Sequence, residues 1–261
     1  MEPAGLAVGV VALAGLFNNA VDCFEYVQLG RSFGTNFQTS LLKLDNARLR
    51  LSRWGAAVGL SGDLGDARSL QGATVSKEDI VIAERTLGQI LKLFADAEGI
   101  SAKYKRFARP DDSTLGALEV HADMDAVGQS LHEKMRKLCI KRQNKSTLYQ
   151  KAKWALYEEE HFKKLIENIK DLVDALSDLF PAVRQEQLKL CEIEVSEIGK
   201  ENLSALIDIV QSQDKDLEAA ISAAMKATKE GKHNTTFNNH DSKIVNQAAS
   251  MAIHGGQTIN L

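Results

Sequence analysis

The sequence predicts an all-α, multi-helix bundle followed by a polar C-terminal tail. The composition is 44% apolar and 26% charged, and only three prolines occur in 261 residues. A chain of this length and apolar content can bury a sizeable core, and its richness in Leu, Ala, Lys and Glu is typical of helical proteins. Apolar residues recur at helical spacing over most of the chain. We therefore expect a helical domain over residues 1–230 and a flexible tail over residues 231–261.

The first apolar segment runs from Ala4 to Val21. Every residue from Ala4 to Phe17 is apolar or glycine, and Asp22 is the first charged residue after Glu2. This is about the minimum length for a membrane span, but the Gly, Ala and Asn residues make insertion marginal. A signal peptide is disfavoured because no basic residue precedes the apolar run. From spacing alone, a core helix and a membrane span are equally good interpretations.

Helical periodicity extends through the rest of the body. One predicted helix carries Arg48, Arg50 and Arg53 on its non-apolar faces. A later predicted helix includes Trp154 and Leu156. Residues 59–74 are rich in Gly, Asp and Ser and are predicted to form a loop. The predicted helices are centred on residues 41–58, 76–107, 131–144, 154–180, 188–198, 203–210 and 217–227.

No motif in the sequence predicts an enzyme. HExxH, the phosphate-binding GxxxxGK, GxSxG and the Cys/His spacings of zinc sites are all absent. Cys23, Cys139 and Cys191 are far apart and odd in number, which indicates free thiols in a reducing compartment. We expect a cytoplasmic protein with no metal and no cofactor. The net charge of −3 provides no general attraction to nucleic acid.

The most basic stretch of the chain lies between Lys134 and Lys153. Its eight Lys and Arg residues are more typical of a solvated helix face than of a binding site. The alternative is an anionic membrane surface, toward which each basic residue contributes roughly 1 kcal/mol. No aromatic residues interleave with these charges in a stacking pattern, so nucleic acid is not an expected partner.

The tail is rich in Asn, Thr, Ser, Gln and Gly and lacks a helical period. Such a composition cannot bury a core, so we expect the tail to be disordered in the soluble state. Two stretches combine β-prone residues with amide side chains, which form ladders when strands stack in register. An inert polar linker shares this composition. The candidate amyloid-core residues are Asn234, Thr236, Phe237, Asn238, Lys243, Ile244, Val245 and Asn246.

Several motifs resemble the HeLo domain of the fungal HET-S/HET-s prion proteins. The resemblance is carried by AGLFNN at residues 14–19, VDCFEYVQLGR at 21–31, LSRWG at 51–55 and KWALY at 153–157. It spans nearly the whole chain and is patchy between residues 59 and 134. The resemblance implies a helical body, often dimeric, joined to a prion-forming region. That region stays disordered until it is templated into a β-solenoid amyloid.

The resemblance also implies a mechanism. In the toxic member of the family, amyloid formation releases the N-terminal helix, which inserts into the membrane and kills the cell by pore formation. Carried over to this chain, residues 1–21 form the releasable helix, and Asp22 and Ser32 lie in its regulatory flank. The implied membrane-insertion residues are Ala4, Gly5, Leu6, Val8, Gly9, Val10, Val11, Leu13, Leu16 and Phe17.

The implied partners are a second copy of the chain, higher oligomers on activation, the amyloid form of a prion partner or tail-bearing receptor, and membrane lipids. The protein is expected to move from the cytoplasm to the cell membrane when activated.

Three functions stay open at this point. The first is a membrane-permeabilising cell-death effector of heterokaryon incompatibility. The second is a non-toxic prion partner that only propagates amyloid, and the third is a helical adaptor with an inert tail. Only the first of the family's two amyloid pseudo-repeats is recognisable, around Asn234 to Gln247.

Overall fold

The computed structural model describes residues 3–61, 76–107, 109, 116–143 and 153–231, with side chains from Gly9 to Thr228. These residues form nine α-helices and one small sheet, which confirms the predicted all-α class. The elements are α1 (Pro3–Tyr26), β1 (Val27–Leu29), α2 (Phe37–Val58), α3 (Lys77–Phe107), α4 (Val120–Asp123), α5 (Ala126–Arg142), β2 (Trp154–Leu156), α6 (Glu159–Leu179), α7 (Arg184–Ile198), α8 (Leu203–Val210) and α9 (Lys215–Gly231).

Local sequence signals set the helix ends that were predicted. Gly59 ends α2 in the left-handed conformation, with a φ of 87° that a glycine adopts at little cost. Ser76 begins α3 as a capping box: its Oγ accepts from the amide of Asp79 at 3.0 Å, and its own amide donates to the Asp79 carboxylate at 3.2 Å. The predicted loop over residues 59–74 falls mostly outside the described residues, as does the whole candidate amyloid core.

The core is built around α2. This helix packs against α5, α6, α7 and α8, while α1 lies against α2 and α3. Trp54 is fully buried at the centre, and its indole Nε1 donates to the carbonyl of Leu176 at 3.0 Å. Because α2 is surrounded, it has no broad solvent face. The arginines predicted on its polar faces are accordingly buried or nearly so, with Arg48 and Arg53 the most enclosed.

The prediction that Trp154 and Leu156 are helical is wrong, because they lie in β2. Val27 to Leu29 of β1 pair in parallel with residues 154–156, and the amide of Gly30 donates to the Leu156 carbonyl at 2.9 Å. A Cβ on Gly30 would lie 2.2 Å from the Tyr157 ring, so only glycine permits this approach. A three-residue strand is too short to show a period of two. Its conformation depends on a partner strand that is remote in sequence.

Candidate functional site

The candidate site is α1, which lies docked in the body. Val10, Leu13 and Phe17 are buried in the core, and Leu16 packs against it. Val11 points outward and is 50% exposed. Within the described part of the chain, no helix is both long enough and apolar enough to cross a membrane. Of the proposed insertion residues, the following lie in α1 with side chains outside the description: Ala4, Gly5, Leu6 and Val8.

Close backbone approaches hold the apolar part of α1. The Phe17 ring lies edge-on to Trp54, with centroids 6.3 Å apart, and rests on the backbone of Gly55. A Cβ on Gly55 would lie 2.2 Å from the Phe17 Cε2 atom. Gly9 meets α3 in a similar manner, since a Cβ there would lie 3.3 Å from Cγ2 of Ile80. Gly55 is part of the LSRWG motif, but only the structure shows that the Phe17 ring packs against its backbone.

Asn18 is a buried polar residue within this apolar packing. It is only 6% exposed, and its Oδ1 atom has no hydrogen-bond partner among the described residues. A buried acceptor without a partner loses its hydration and gains nothing in return. Asn18 therefore reduces the stability of the docked helix at the junction between its apolar part and its polar end.

We expect Asn18→Leu to raise the free energy of unfolding by about 1 kcal/mol, because it removes the unpaired acceptor and adds apolar burial. The measurement is urea denaturation followed by circular dichroism. Asn19→Leu is the matched control, since Asn19 is exposed on the same helix and its replacement should change stability by less than about 0.5 kcal/mol. Equal effects in the two variants would contradict this account of Asn18.

The C-terminal end of α1 is held by polar contacts. Asp22 Oδ1 accepts from Nε2 of Gln143 at 2.7 Å. Glu25 accepts from Arg48 of α2 and from Nε of Arg136 of α5, the latter at 2.8 Å. Arg48 also donates to Oε1 of Gln143 at 3.3 Å. These contacts link α1, α2 and α5 directly beside the apolar segment.

Burial and charge act in opposite directions on the two carboxylates. Burial raises the pKa of Asp22, and the hydrogen bond from Gln143 only partly offsets this. Burial also opposes ionisation of Glu25, but the charges and hydrogen bonds of Arg48 and Arg136 outweigh it and lower the pKa of Glu25. Glu25 is therefore the charged anchor of α1. Sequence reasoning selected Asp22 and missed Glu25, because the two arginines that define its role lie in other helices.

Ser32, the second residue of the predicted regulatory flank, lies in a short 3₁₀ helix (Arg31–Asn36) after β1. Its hydroxyl donates to the backbone carbonyl of Tyr157, just beyond β2. Asp22 and Ser32 thus have different partners, Gln143 and Tyr157. Asp22 thus fixes the last turns of α1, and Ser32 fixes the segment that joins α1 to α2.

The basic stretch on α5 faces acidic side chains. Lys134 contacts Glu201 at 2.7 Å, and Lys141 contacts Glu197 at 2.6 Å. These pairs support the interpretation of a structural and solvated face over that of an anionic membrane surface. Lys145 and Lys151 lie outside the described residues.

A buried ion network that sequence reasoning missed joins three helices and the residue that precedes α9. Arg53 Nη2 lies 2.6 Å from Glu194 Oε2 and 2.8 Å from Asp214 Oδ2. Arg142 Nη1 contacts the other oxygen of Glu194 at 2.5 Å. Burial opposes the charge on Asp214, but Arg53 outweighs it and lowers the pKa of that carboxyl group. The network fixes α2, α5 and α7 together at the start of α9, where Asp214 also accepts from the amide of Leu217.

Together, the fold and the docked helix define a class of protein: a helical bundle that carries one apolar, separately anchored N-terminal helix. A family model described as HeLo, prion-inhibition and propagation, matches residues 5–209. The chain belongs to the HeLo family, as the sequence motifs indicated.

Two curated relatives and two solved structures support this assignment. The chain is 34% identical to heterokaryon incompatibility protein s of Podospora anserina, over 99% of this chain and 88% of that protein. It is 36% identical to heterokaryon incompatibility protein S of the same species, over 85% and 73% of the two chains. A double mutant of the HET-s N-terminal domain matches with a TM-score of 0.74 and 36% identity, over 82% of this chain and 99% of that one. A second structure of that domain has the same TM-score and 35% identity, over 83% and 98%.

Proposed function

We propose that this chain is a cell-death effector of heterokaryon incompatibility rather than an enzyme. Templating of its tail into amyloid, by a prion partner or a tail-bearing receptor, releases α1. Several copies of the chain then insert this helix into the cell membrane and form a pore. The resting protein is cytoplasmic, and the proposal requires no cofactor or metal.

The observation that carries the proposal is the nature of the contacts along α1. Residues 3–21 contain no ionisable side chain, and the described part of this stretch is held by apolar packing through residues such as Leu13 and Phe17. Release into water would expose that apolar surface, at a cost of roughly 25 cal/mol per Å². A bilayer accepts the same surface without this cost. The body and the membrane are therefore alternative environments for one helix.

The polar anchor explains where the released segment would end. Asp22 and Glu25 contact Gln143, Arg48 and Arg136 through hydrogen bonds and charge, and a bilayer core cannot replace these contacts. Residues before Asp22 can therefore leave while this end stays with the body. Insertion of a single marginal helix is weak, so we expect several copies to associate through small residues such as Gly5 and Gly9.

The test is dye release from anionic liposomes, with and without preformed fibrils of residues 231–261. The decisive variant is Val11→Lys. Because Val11 is half exposed in the docked helix, a lysine there is compatible with the resting body. In the middle of a membrane segment the same lysine costs roughly 2.5–3.5 kcal/mol. We expect fibril-dependent leakage by the unmodified chain and at least a tenfold reduction in the variant.

Val81→Lys is the matched control, because Val81 is 43% exposed on α3 and lies outside the segment. It should leak like the unmodified chain. Leu13 is nearer the middle of the segment but is fully buried, so a lysine there would also disrupt the body.

Unchanged leakage by Val11→Lys would refute insertion of α1. Seeded fibril growth without any leakage would identify a prion partner, and neither effect would identify an adaptor.

A further inference from the structure

We propose that a cavity beside the end of α1 binds a single-chain amphiphile with a phosphate headgroup. The cavity has a volume of about 560 Å³ and lies between the end of α1, β1, α2, α4 and α5. Sites for small organic ligands typically measure about 300–1,000 Å³. This site is independent of the proposed membrane activity, since it concerns the resting body alone.

The inner surface of the cavity is apolar. Its buried side chains come from α1, β1 and α2, and all of them belong to the hydrophobic core. An alkyl chain placed there would be removed from water, which favours binding. The buried apolar lining consists of Phe24, Val27, Leu29, Phe37, Leu41 and Leu44, with Leu118 and Val120 at its edge.

The polar side of the cavity carries four Lys and Arg side chains together with four carboxylates. Arg48 and Arg136 share the single carboxylate of Glu25. Arg48 is buried, and its Nε atom has no hydrogen-bond partner among the described residues. Lys137 and Lys153 also line the cavity and are exposed to solvent. The donors that a ligand can reach at the mouth are those of Arg136, which is 48% exposed, and of Lys137 and Lys153.

The carboxylates of the cavity have cationic partners already. Glu25 lies between two arginines, and Asp45 Oδ2 lies 2.8 Å from Nδ1 of His132. Burial would lower the pKa of His132, but the hydrogen bond and charge of Asp45 raise it, which adds positive charge at this side. Of the remaining two acidic groups, Glu133 lies 4.0 Å from Lys137 and Glu119 is exposed at the rim.

The arrangement of donors favours phosphate as the headgroup. Guanidinium groups bind phosphate oxygens in a bidentate manner, and phosphate offers more acceptor oxygens than a carboxylate. Arg136 and Lys137 of α5 are both exposed at the mouth, and Lys153 adds a third cation, while Arg48 lies buried behind Glu25.

The experiment is isothermal titration of the full chain with monomeric dodecyl phosphate, dodecyl maltoside and inorganic phosphate. We expect saturable one-to-one binding of dodecyl phosphate, with the other two probes at least tenfold weaker. Equal binding of dodecyl maltoside would overturn the headgroup assignment. Equal binding of inorganic phosphate would show a site for free phosphate and overturn the amphiphile.

Variants locate the site. Arg136→Gln should weaken dodecyl phosphate binding at least tenfold, and Lys137→Gln should weaken it less. Lys141→Gln is the matched control, because Lys141 is an exposed cation on the same helix that faces Glu197 instead of the cavity. It should bind like the unmodified chain. Equal weakening in all three variants would indicate non-specific charge attraction, and no weakening in either cavity variant would place the ligand elsewhere. Both results overturn the proposal.

Discussion

Replacing Glu194 by glutamine is expected to lower the free energy of unfolding by about 3–5 kcal/mol, because it leaves buried charge without its partner. Glu194 is fully buried between Arg53 and Arg142 and contacts both guanidinium groups. Glutamine keeps the size of the side chain but not its charge. Arg53 would retain only Asp214, and Arg142 would lose the carboxylate that neutralises it. Urea denaturation monitored by circular dichroism measures the loss.

Glu192→Gln is the control for this prediction. Glu192 lies on the same helix but is exposed, so removing its charge should change stability by less than about 0.5 kcal/mol. A loss below about 1 kcal/mol in Glu194→Gln would mean that water or neighbouring groups compensate the arginines, and that the network does not hold α2, α5 and α7 together.

Gly55→Leu should undock α1 and lower the free energy of unfolding by about 2–4 kcal/mol. The new side chain occupies the place of the Phe17 ring, which lies against the glycine backbone. Expelling a buried phenylalanine costs about 3–5 kcal/mol, and the better helix propensity of leucine reduces this loss by about 1 kcal/mol. Hydrogen exchange should show loss of protection in α1 greater than the global destabilisation explains.

Two further variants separate undocking from a general defect in α2. Gly99→Leu introduces the same side chain in α3, where a Cβ meets no atom within 4 Å, and it should not destabilise the protein. The double variant Phe17→Ala with Gly55→Leu removes the clash and should be more stable than the sum of the single losses predicts. Strict additivity would contradict direct packing of Phe17 on Gly55. If the proposed function is correct, Gly55→Leu also leaks dye without fibrils.

Most helices of the fold could be predicted because their signals are local. The apolar stripe from Phe162 to Leu176 and the capping box at Ser76 involve residues within one or a few turns of each other. Both can be recognised in the sequence. The paired strands could not be predicted, since Val27 and Trp154 adopt that conformation through a partner remote in the chain.

The same distinction between local and long-range signals applies to the candidate site. The apolar segment and the resemblance that assigns it a role are properties of consecutive residues. Glu25 and Gly55 were not selected, because their roles depend on groups from other helices. Glu25 requires Arg48 and Arg136, and Gly55 requires the ring of Phe17.

The sequence by itself determined the helical class, the family and the position of the one long apolar segment. Only the tertiary structure decided that this segment is docked, that Val11 is exposed on it, and that Arg53 of α2 is buried. The physical reason is the range of the interactions. Helical periodicity acts over a few residues, whereas Arg53 is neutralised by carboxylates 141 and 161 residues away in the chain, which only the folded core brings within contact.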